Sequence, residues 1–282
     1  MKKYYRIFIA TLIMLILLTP LIGNAEEKKE EEKVTGELAL GVMSAYVWRG
    51  QELTRDSVVI EPSLTVYYKG FTVAAWGNID TKPYAAAGDN HAGKLTETDW
   101  TVSYTKKIGI VSLTPGYIYY ALGAPYAGAV APQDSQELFF SAAVGTVLLP
   151  TFTVYKEIDH YHQWYFQLGA SHTFAVNKFI GLKLAGSVSY LLSTDESAYP
   201  KYDSDSVATS EKYNNFHEGT LSVSLPLAVY KTFNLTPTIT YVFPLSNDAQ
   251  NEMKGRGLQG VASPSDKAGN YLYGGLSLSF SF

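Results

Sequence analysis

The segment 159–162, with the sequence DHYH, is the group of residues best suited to chemistry in this chain. Two imidazoles separated by one residue can bind a transition metal, since neutral histidine is a common metal ligand. Together with Glu97 and Asp99, the pair could instead form an Asp/His hydrolytic centre. A single pair of histidines is more often an ordinary polar loop. We therefore expect neither a metal ion nor a catalytic group here.

The rest of the sequence carries none of the common catalytic motifs. It has no Gly-rich phosphate loop, no His-Glu zinc motif and no Gly-x-Ser-x-Gly nucleophile turn. A lipase-like site would need a serine motif near a histidine at membrane level, and neither His172 nor His217 has one. Because the chain has no cysteine, disulfides and thiolate metal sites are excluded. We predict that the protein is not an enzyme and binds no cofactor.

Residues 1–25 are predicted to form a cleaved secretory signal peptide. The start is basic, an apolar stretch follows over 7–18, and Ala25 ends a small-residue cleavage site. The apolar stretch is shorter than the roughly 20 residues that a membrane-spanning helix needs. Residues 26–35, with the run EEKKEEEK, are predicted to be a charged periplasmic lead-in. Loss of the basic signal makes the chain more acidic than its full-length net charge of −4, which argues against a nucleic-acid partner.

Apolar and polar residues alternate in successive segments over 36–282, which is the pattern of β-strands. The chain also has 22 Tyr, 13 Phe and 4 Trp, and membrane barrels place such residues in two belts at the lipid headgroups. We predict about twelve strands, near 36–49, 57–68, 70–80, 95–107, 110–122, 135–148, 150–159, 162–175, 178–193, 216–230, 232–244 and 269–282.

The predicted connections alternate between two classes. Very short joints, such as 69–70 and 107–109, alternate with mostly longer polar ones, of which 81–94, 194–215 and 245–268 are the longest. Bacterial outer-membrane barrels have short periplasmic turns and long extracellular loops. Backbone groups in hydrocarbon must bond to one another, so such a sheet must close. The predicted fold is therefore an all-β, transmembrane, antiparallel up-and-down β-barrel with both termini in the periplasm.

The alternation also predicts which side chains face lipid. In the first strand Leu38, Leu40 and Val42 share a face with Tyr46 and Trp48, which we expect in a lipid-facing aromatic girdle. The opposite face should line the lumen, and acids outnumber bases on it, which favours cations. The predicted pore-lining residues are Arg49, Glu61, Glu97, Asp99, Glu137, Glu157, Asp159, Lys183 and Glu218.

Some of these assignments have structural alternatives. Arg49 could help to select permeants, or it could only pair with Glu61 or another lumen acid. The acids could set a cation preference at the mouth, or they could form a charge network that only holds the barrel's shape. Trp76, in the third strand, could face either lipid or lumen.

The end of the chain has the pattern of a terminal barrel strand. Leu276, Leu278, Phe280 and Phe282 alternate with small residues, and Phe282 is the last residue. This ending resembles the signature by which the barrel assembly machinery recognises outer-membrane proteins. We therefore expect that machinery and outer-membrane lipid as partners, and the bacterial outer membrane as the location.

Several segments resemble motifs of the TorF family of bacterial outer-membrane porins, in the same order. The likeness covers most of the mature chain, although the loops 81–94, 194–215 and 245–268 carry no matching motif. The resemblance implies a β-barrel with a porin function. The matching segments are 44–50 (SAYVWRG), 70–78 (GFTVAAWGN), 97–99 (ETD), 116–120 (GYIYY), 148–155 (LLPTFTVY) and 164–172 (WYFQLGASH).

The sequence thus predicts an outer-membrane porin or channel for passive diffusion of small hydrophilic solutes or ions, with a leaning towards cations. Two alternatives stay open. One is a protease-like or lipase-like hydrolase at the barrel mouth, built around Asp159 and His160. The other is a structural or adhesive barrel plugged by its own side chains, since about twelve strands enclose only a narrow lumen.

Overall fold

The computed structural model describes residues 33–54, 57–81, 93–123, 132–255 and 269–282. The predicted signal peptide and most of the predicted lead-in lie outside the described residues, as do large parts of the loops 81–94 and 245–268. Among the helices of the described ranges, none is long and apolar enough to cross a membrane.

The described part of the chain contains eighteen strands and the helix α1 (Asn247–Gly255). The wall strands are β1 (Thr35–Met43), β4 (Val59–Tyr68), β5 (Phe71–Asp80), β6 (Lys94–Tyr104) with β7 (Lys106–Ile108), β8 (Val111–Leu122), β9 (Ser135–Val144), β10 (Thr151–Glu157), β11 (Gln163–Ala175), β12 (Gly181–Ser193), β15 (Asn214–Ser224) with β16 (Leu227–Tyr230), β17 (Phe233–Pro244) and β18 (Tyr271–Ser281). Two further hairpins are not part of the wall sheet: β2 (Val47–Trp48) with β3 (Gln51–Glu52), and β13 (Pro200–Tyr202) with β14 (Ala208–Lys212).

Each wall strand pairs antiparallel with its neighbours, and the first and last strands close the sheet. β1 pairs with β4 on one side and with β18 on the other, from Glu37 opposite Ser281 to Met43 opposite Gly275. β7 continues β6, and β16 continues β15 after Pro226, so the wall has twelve strands. The prediction of a closed, twelve-stranded antiparallel barrel is confirmed.

The two faces of the wall differ as the alternation predicts. In β1, Leu38, Leu40 and Val42 are exposed on the outer face, whereas Gly41 is buried on the inner face. Large apolar side chains are exposed on the outer face of most other wall strands as well. Exposed apolar surface is costly in water, so a belt of this kind matches the hydrocarbon of a bilayer. Trp76, left ambiguous by the sequence, faces inward.

Short turns join the wall strands at one end of the barrel. Tyr68 pairs with Phe71 across a two-residue turn, in which Lys69 and Gly70 have φ angles of 51° and 84°. Positive φ at both positions defines a type I′ turn, whose twist matches that of the flanking strands. A Cβ on Gly70 would lie 2.7 Å from the carbonyl oxygen of Thr105, so glycine is needed there. The long connections lie at the opposite end, which we call the loop end.

The first wall strand is shorter than predicted. β1 ends at Met43 instead of residue 49, and the chain then turns into the barrel as the hairpin β2–β3. Arg49 and Gly50 form the tip of this hairpin, with φ angles of 44° and 71°. Alternation continues through the segment because a hairpin has the same period as a wall strand. The sequence pattern therefore could not separate the two.

Tyr46 and Trp48 consequently do not join a lipid-facing girdle, and that prediction is wrong. The Trp48 ring packs edge-on against buried Tyr120, with 6.2 Å between centroids. The Tyr46 ring contacts Trp76, with 5.4 Å between centroids. Both contacts lie on the inner face, since the hairpin that carries these rings is inside the wall.

The helix α1 lies between β17 and β18, where the sequence predicted only a polar loop. Ser246 caps the helix: its Oγ accepts a hydrogen bond from the backbone N–H of Ala249 at 3.1 Å. The buried side of α1 carries Ala249, Glu252 and Met253. Met253 packs against Tyr271 of β18, so the helix is held against the wall.

Candidate functional site in the barrel lumen

Two segments occupy the loop end of the lumen: residues 44–54, which include the β2–β3 hairpin, and residues 247–255 of α1. We call them the inner plug. They meet at Gly50, where a Cβ would lie 3.3 Å from the side chain of Met253 and 3.4 Å from that of His217. Met253 and His217 are both fully buried, so the plug is packed without a gap at this contact.

Arg49, at the hairpin tip, forms the strongest charge contact in the lumen. Its Nη1 and Nη2 donate to the two carboxylate oxygens of Glu137 at 2.6 and 2.7 Å. The guanidinium also lies over the rings of Trp48, Tyr155 and Tyr165, at 4.6, 4.9 and 4.2 Å from their centroids. A bidentate pair with aromatic faces around the cation has a fixed geometry. The hairpin is therefore anchored to β9, β10 and β11.

The Arg49–Glu137 pair is shielded from water, with side-chain exposures of 8% and 1%. Burial alone would lower the pKa of Arg49, but the Glu137 carboxylate outweighs it, so the pKa is raised above its ordinary value. The guanidinium thus stays charged. The sequence considered Glu61 or another lumen acid as its partner, and Glu137 is that acid.

A β-bulge in β15 brings two adjacent side chains into the lumen. The pairing of β12 with β15 shifts by one residue opposite Ser189, so both His217 and Glu218 point inward. His217 Nδ1 is hydrogen-bonded to the Glu218 carboxylate, and the Tyr165 hydroxyl donates to the same carboxylate. Glu218, predicted to line the pore, is therefore fully engaged by neighbouring side chains.

Glu252 connects this wall cluster to the inner plug. His217 Nε2 lies 2.8 Å from Glu252 Oε2, and the Tyr199 hydroxyl donates to Oε1 of the same carboxylate. Gln51 of the hairpin donates to the Tyr199 oxygen at 3.1 Å. One continuous network therefore links wall, helix and hairpin. A buried network of this kind stabilises its members only while all of them are present.

Glu157 is buried at the end of β10, where it organises the hairpin tip that carries the two histidines. Its carboxylate accepts four backbone N–H groups, those of residues 159–162, at 2.7 to 3.0 Å. Ser135 Oγ donates to it as well, at 3.1 Å. The structure thus places this charge inside the turn.

The DHYH segment is engaged in local contacts. His160 Nδ1 lies 2.8 Å from the carbonyl oxygen of Asp134, and the Asp159 carboxylate accepts from Gln136 Nε2 at 2.8 Å. Within the described ranges, no group of three or more His, Asp or Glu side chains could hold a metal ion.

Glu61, Glu97 and Asp99 form a separate acidic group on the inner face, which we call the lumen acids. Glu97 and Asp99 are neighbours on the inner face of β6, and the charges of both act on the Tyr46 hydroxyl of the plug. Burial, and then the charges of Glu97 and Asp99, raise the pKa of Tyr46 well above its ordinary value, so it remains a donor. Asp99 Oδ1 is buried without a hydrogen-bond partner among the residues described.

A cavity of about 250 Å³ lies in the lumen beside this group. Its lining includes the Glu61 carboxylate, the Trp76 ring and small hydroxyl side chains such as Ser63, Thr238 and Ser277. Arg49 is not among the lining residues, and neither is Lys183. The described lining is therefore acidic, aromatic and rich in hydroxyl groups.

Lys183 is not part of the plug or of the cavity lining, but it lies two strands from the cavity: its neighbour Ser224 pairs with Thr238, which lines the cavity. It is exposed on the inner face of β12, close to the short turn that precedes this strand. Its cross-strand neighbours are Thr173 and Ser224, which offer no charge. Within the described ranges, Lys183 therefore forms no ion pair with the acids that the sequence grouped with it.

The sequence analysis missed His217, Glu252 and Tyr165 as members of the lumen network. A bulge depends on pairing with the next strand, so the inward turn of His217 leaves no pattern in its own strand. A signal for α1 was present: Ser246 can cap a helix, and Ala249 and Met253 are four residues apart on one face.

No protein-family model matches the sequence, and no curated protein matches it. Several solved outer-membrane proteins have a similar overall course. A KdgM porin is 10% identical over 87% of this chain and 99% of its own, with a TM-score of 0.49. An outer membrane channel from Pseudomonas putida F1 is 9% identical over 93% of this chain and 100% of its own, with a TM-score of 0.48. A NanC porin is 10% identical over 88% of this chain and 98% of its own, with a TM-score of 0.45.

Proposed function

We propose that this chain is a bacterial outer-membrane channel through which small hydrophilic solutes or ions diffuse passively, without a chemical step. The observation that carries the proposal is a closed barrel with an apolar outer face and a polar interior. Closure pairs the backbone groups of every wall strand, as a sheet in hydrocarbon requires. An interior of hydroxyl groups and carboxylates can hold water and dissolved solutes.

A leaning towards cations is part of this proposal. Arg49 is neutralised by Glu137, whereas no lysine or arginine of the described ranges forms an ion pair with the lumen acids. Lys183 forms no ion pair with these acids either, and it is not among the residues that line the cavity. An uncompensated group of carboxylates beside a constriction attracts cations and repels anions.

The outer-membrane location is supported by both ends of the chain. The predicted signal peptide would export the protein, and the aromatic Phe282 would be recognised by the assembly machinery. Phe282 also closes the barrel, since its N–H and carbonyl bond to the carbonyl and N–H of Gly36 at 3.0 and 2.9 Å. Membership of the TorF family remains a prediction from the sequence motifs.

A plugged structural barrel is the second candidate, and the burial of the inner plug favours it. Side chains such as Tyr199, His217 and Met253 have almost no exposed surface, so they leave no water path between them. The barrel-mouth hydrolase has no comparable support, because Asp159 and His160 are both held by local hydrogen bonds.

Conductance in a planar bilayer separates the two candidates. Purified, folded protein should produce discrete current steps when it inserts, because the cavity side of the lumen is polar. A plugged barrel would insert, as shown by heat-modifiable migration of the recovered protein, and would stay electrically silent.

A further inference from the structure

We infer that the lumen cavity is a binding site for a small organic cation, with its ammonium group between the Trp76 ring and the Glu61 carboxylate. The inference rests on the proposed channel function, since the lumen is the route by which a ligand reaches the cavity. It goes further than a general charge preference, because it assigns a saturable site and a ligand class.

The first support is the aromatic wall of the cavity. Trp76 lines the cavity, and the Tyr46 ring of the plug packs against it with 5.4 Å between centroids and 50° between planes. The face of an aromatic ring attracts a cation, and tryptophan gives the largest effect. Outer-membrane barrels place aromatic residues in belts at the two membrane interfaces. A tryptophan that faces the lumen beside a cavity is outside these belts and has a different role.

The second support is the set of carboxylates around this ring. Glu61 lines the same cavity, and Asp99 is the cross-strand neighbour of Trp76, with Oδ1 lacking a hydrogen-bond partner in the described part of the chain. A buried carboxylate oxygen without a donor is costly. Asp99 is not among the lining residues, so it adds negative charge behind the Trp76 ring, whereas Glu61 supplies the carboxylate that an ammonium group in the cavity would contact.

The third support is the size of the cavity and the absence of arginine and lysine from its lining. The cavity offers about 250 Å³ to the centres of water-sized spheres, and one water needs about 10–15 Å³ by this measure, so a small organic ion fits. The lining has no arginine or lysine, which an anionic ligand would need. Gly41 also lines the cavity, and a Cβ at this position would lie in ordinary contact with the Glu61 side chain, at 3.4 Å.

Choline is a suitable probe because its trimethylammonium group is cationic and poorly hydrated. We expect saturable binding of choline to the folded protein in detergent micelles, measured by isothermal titration calorimetry at constant ionic strength. Glu61→Gln and Trp76→Leu should each weaken binding about tenfold. Trp76→Phe, which keeps an aromatic face, should retain most of the affinity.

Two matched variants control for general effects. Glu37→Gln removes an inner-face acid of β1 that does not line the cavity, and Trp100→Leu removes an exposed outer-face tryptophan of β6. Both should bind choline as the unchanged protein does. Heat-modifiable migration would show that every variant is folded.

Several results would overturn the site. They are the absence of saturable choline binding, an affinity for choline in Glu61→Gln and Trp76→Leu that equals that of the unchanged protein, or saturable binding of glucose in place of choline. Because titration in micelles needs no ion flow, choline binding by an electrically silent barrel would refute the channel and keep the site. Conductance without choline binding would refute the binding site and leave the channel function standing.

Discussion

The sequence left two roles open for Arg49 in the lumen: selection of permeants, or an ion pair that only stabilises the structure. Its guanidinium is held by Glu137 and by three aromatic rings, and almost none of it is exposed. A cation that is already neutralised contributes little to the field felt by a permeant. Its main effect is therefore on the position of the β2–β3 hairpin.

Replacement of Arg49 tests this assignment. Arg49→Ala leaves the buried Glu137 carboxylate without its cationic partner, with only the Tyr120 hydroxyl still donating to it, and breaking a buried ion pair typically costs about 3–5 kcal/mol. We expect the free energy of unfolding in urea, measured on the folded barrel in detergent, to fall by an amount of that order. Lys183→Ala, which removes an exposed inner-face cation, should change it by less than about 0.5 kcal/mol. An Arg49→Ala barrel of unchanged stability but altered ion selectivity would instead assign Arg49 to the permeant.

The sequence could predict those site residues whose odd or even position in a strand alone fixes the face of the wall on which they lie. Glu61, Glu97 and Asp99 follow the two-residue period of their strands, and all three lie on the inner face as expected. His217 breaks the period through a bulge, and its partner Glu252 comes from a helix in a distant connection. Contacts of that kind depend on the closed barrel, so no local pattern contains them.

At the scale of elements, the inner plug decides how wide the lumen is. The hairpin is anchored through Arg49, whereas α1 is anchored through Glu252 and the buried Met253. The wall strands were predictable, because twelve period-two segments with alternating short and long joints fit one architecture. The hairpin and helix were not, since inward folding of a loop depends on the lumen that receives it.

Removal of α1 tests the role of the plug. Replacing residues 247–255 by a Gly-Ser linker of equal length should raise single-channel conductance, because the helix occupies part of the loop end of the lumen. A similar replacement of residues 145–148, in the exposed short turn between β9 and β10, removes no part of the plug and should leave conductance unchanged. Equal conductance in both variants would mean that ions pass elsewhere than beside α1.

At the scale of the whole molecule, closure joins the two ends of the described chain. β18 pairs with both β1 and β17, so the last residues complete the wall. The Gly36–Phe282 hydrogen bonds lie at the end of this seam. Closure of the barrel therefore depends on the terminal strand, and the proposed recognition by the assembly machinery would involve the same strand.

Deletion of Phe282 should reduce the amount of heat-modifiable barrel in the outer membrane and increase aggregate in the periplasm. The deletion removes two backbone hydrogen bonds of the seam together with the terminal aromatic ring. Phe282→Tyr keeps the bonds and an aromatic end, so it should assemble normally. Normal insertion of the deleted form would show that the terminal residue is dispensable for assembly.

The reversal potential in a salt gradient tests the central claim most directly, because it reports both an open lumen and the sign of its charge. We predict cation preference at low salt that weakens near 1 M, where the Debye length is only about 3 Å. Neutralising the lumen acids together, as Glu61→Gln, Glu97→Gln and Asp99→Asn, should reduce the preference. Glu211→Gln, which alters an exposed acid of β14, should not. Anion preference at low salt, or an inserted barrel without conductance, would contradict the account.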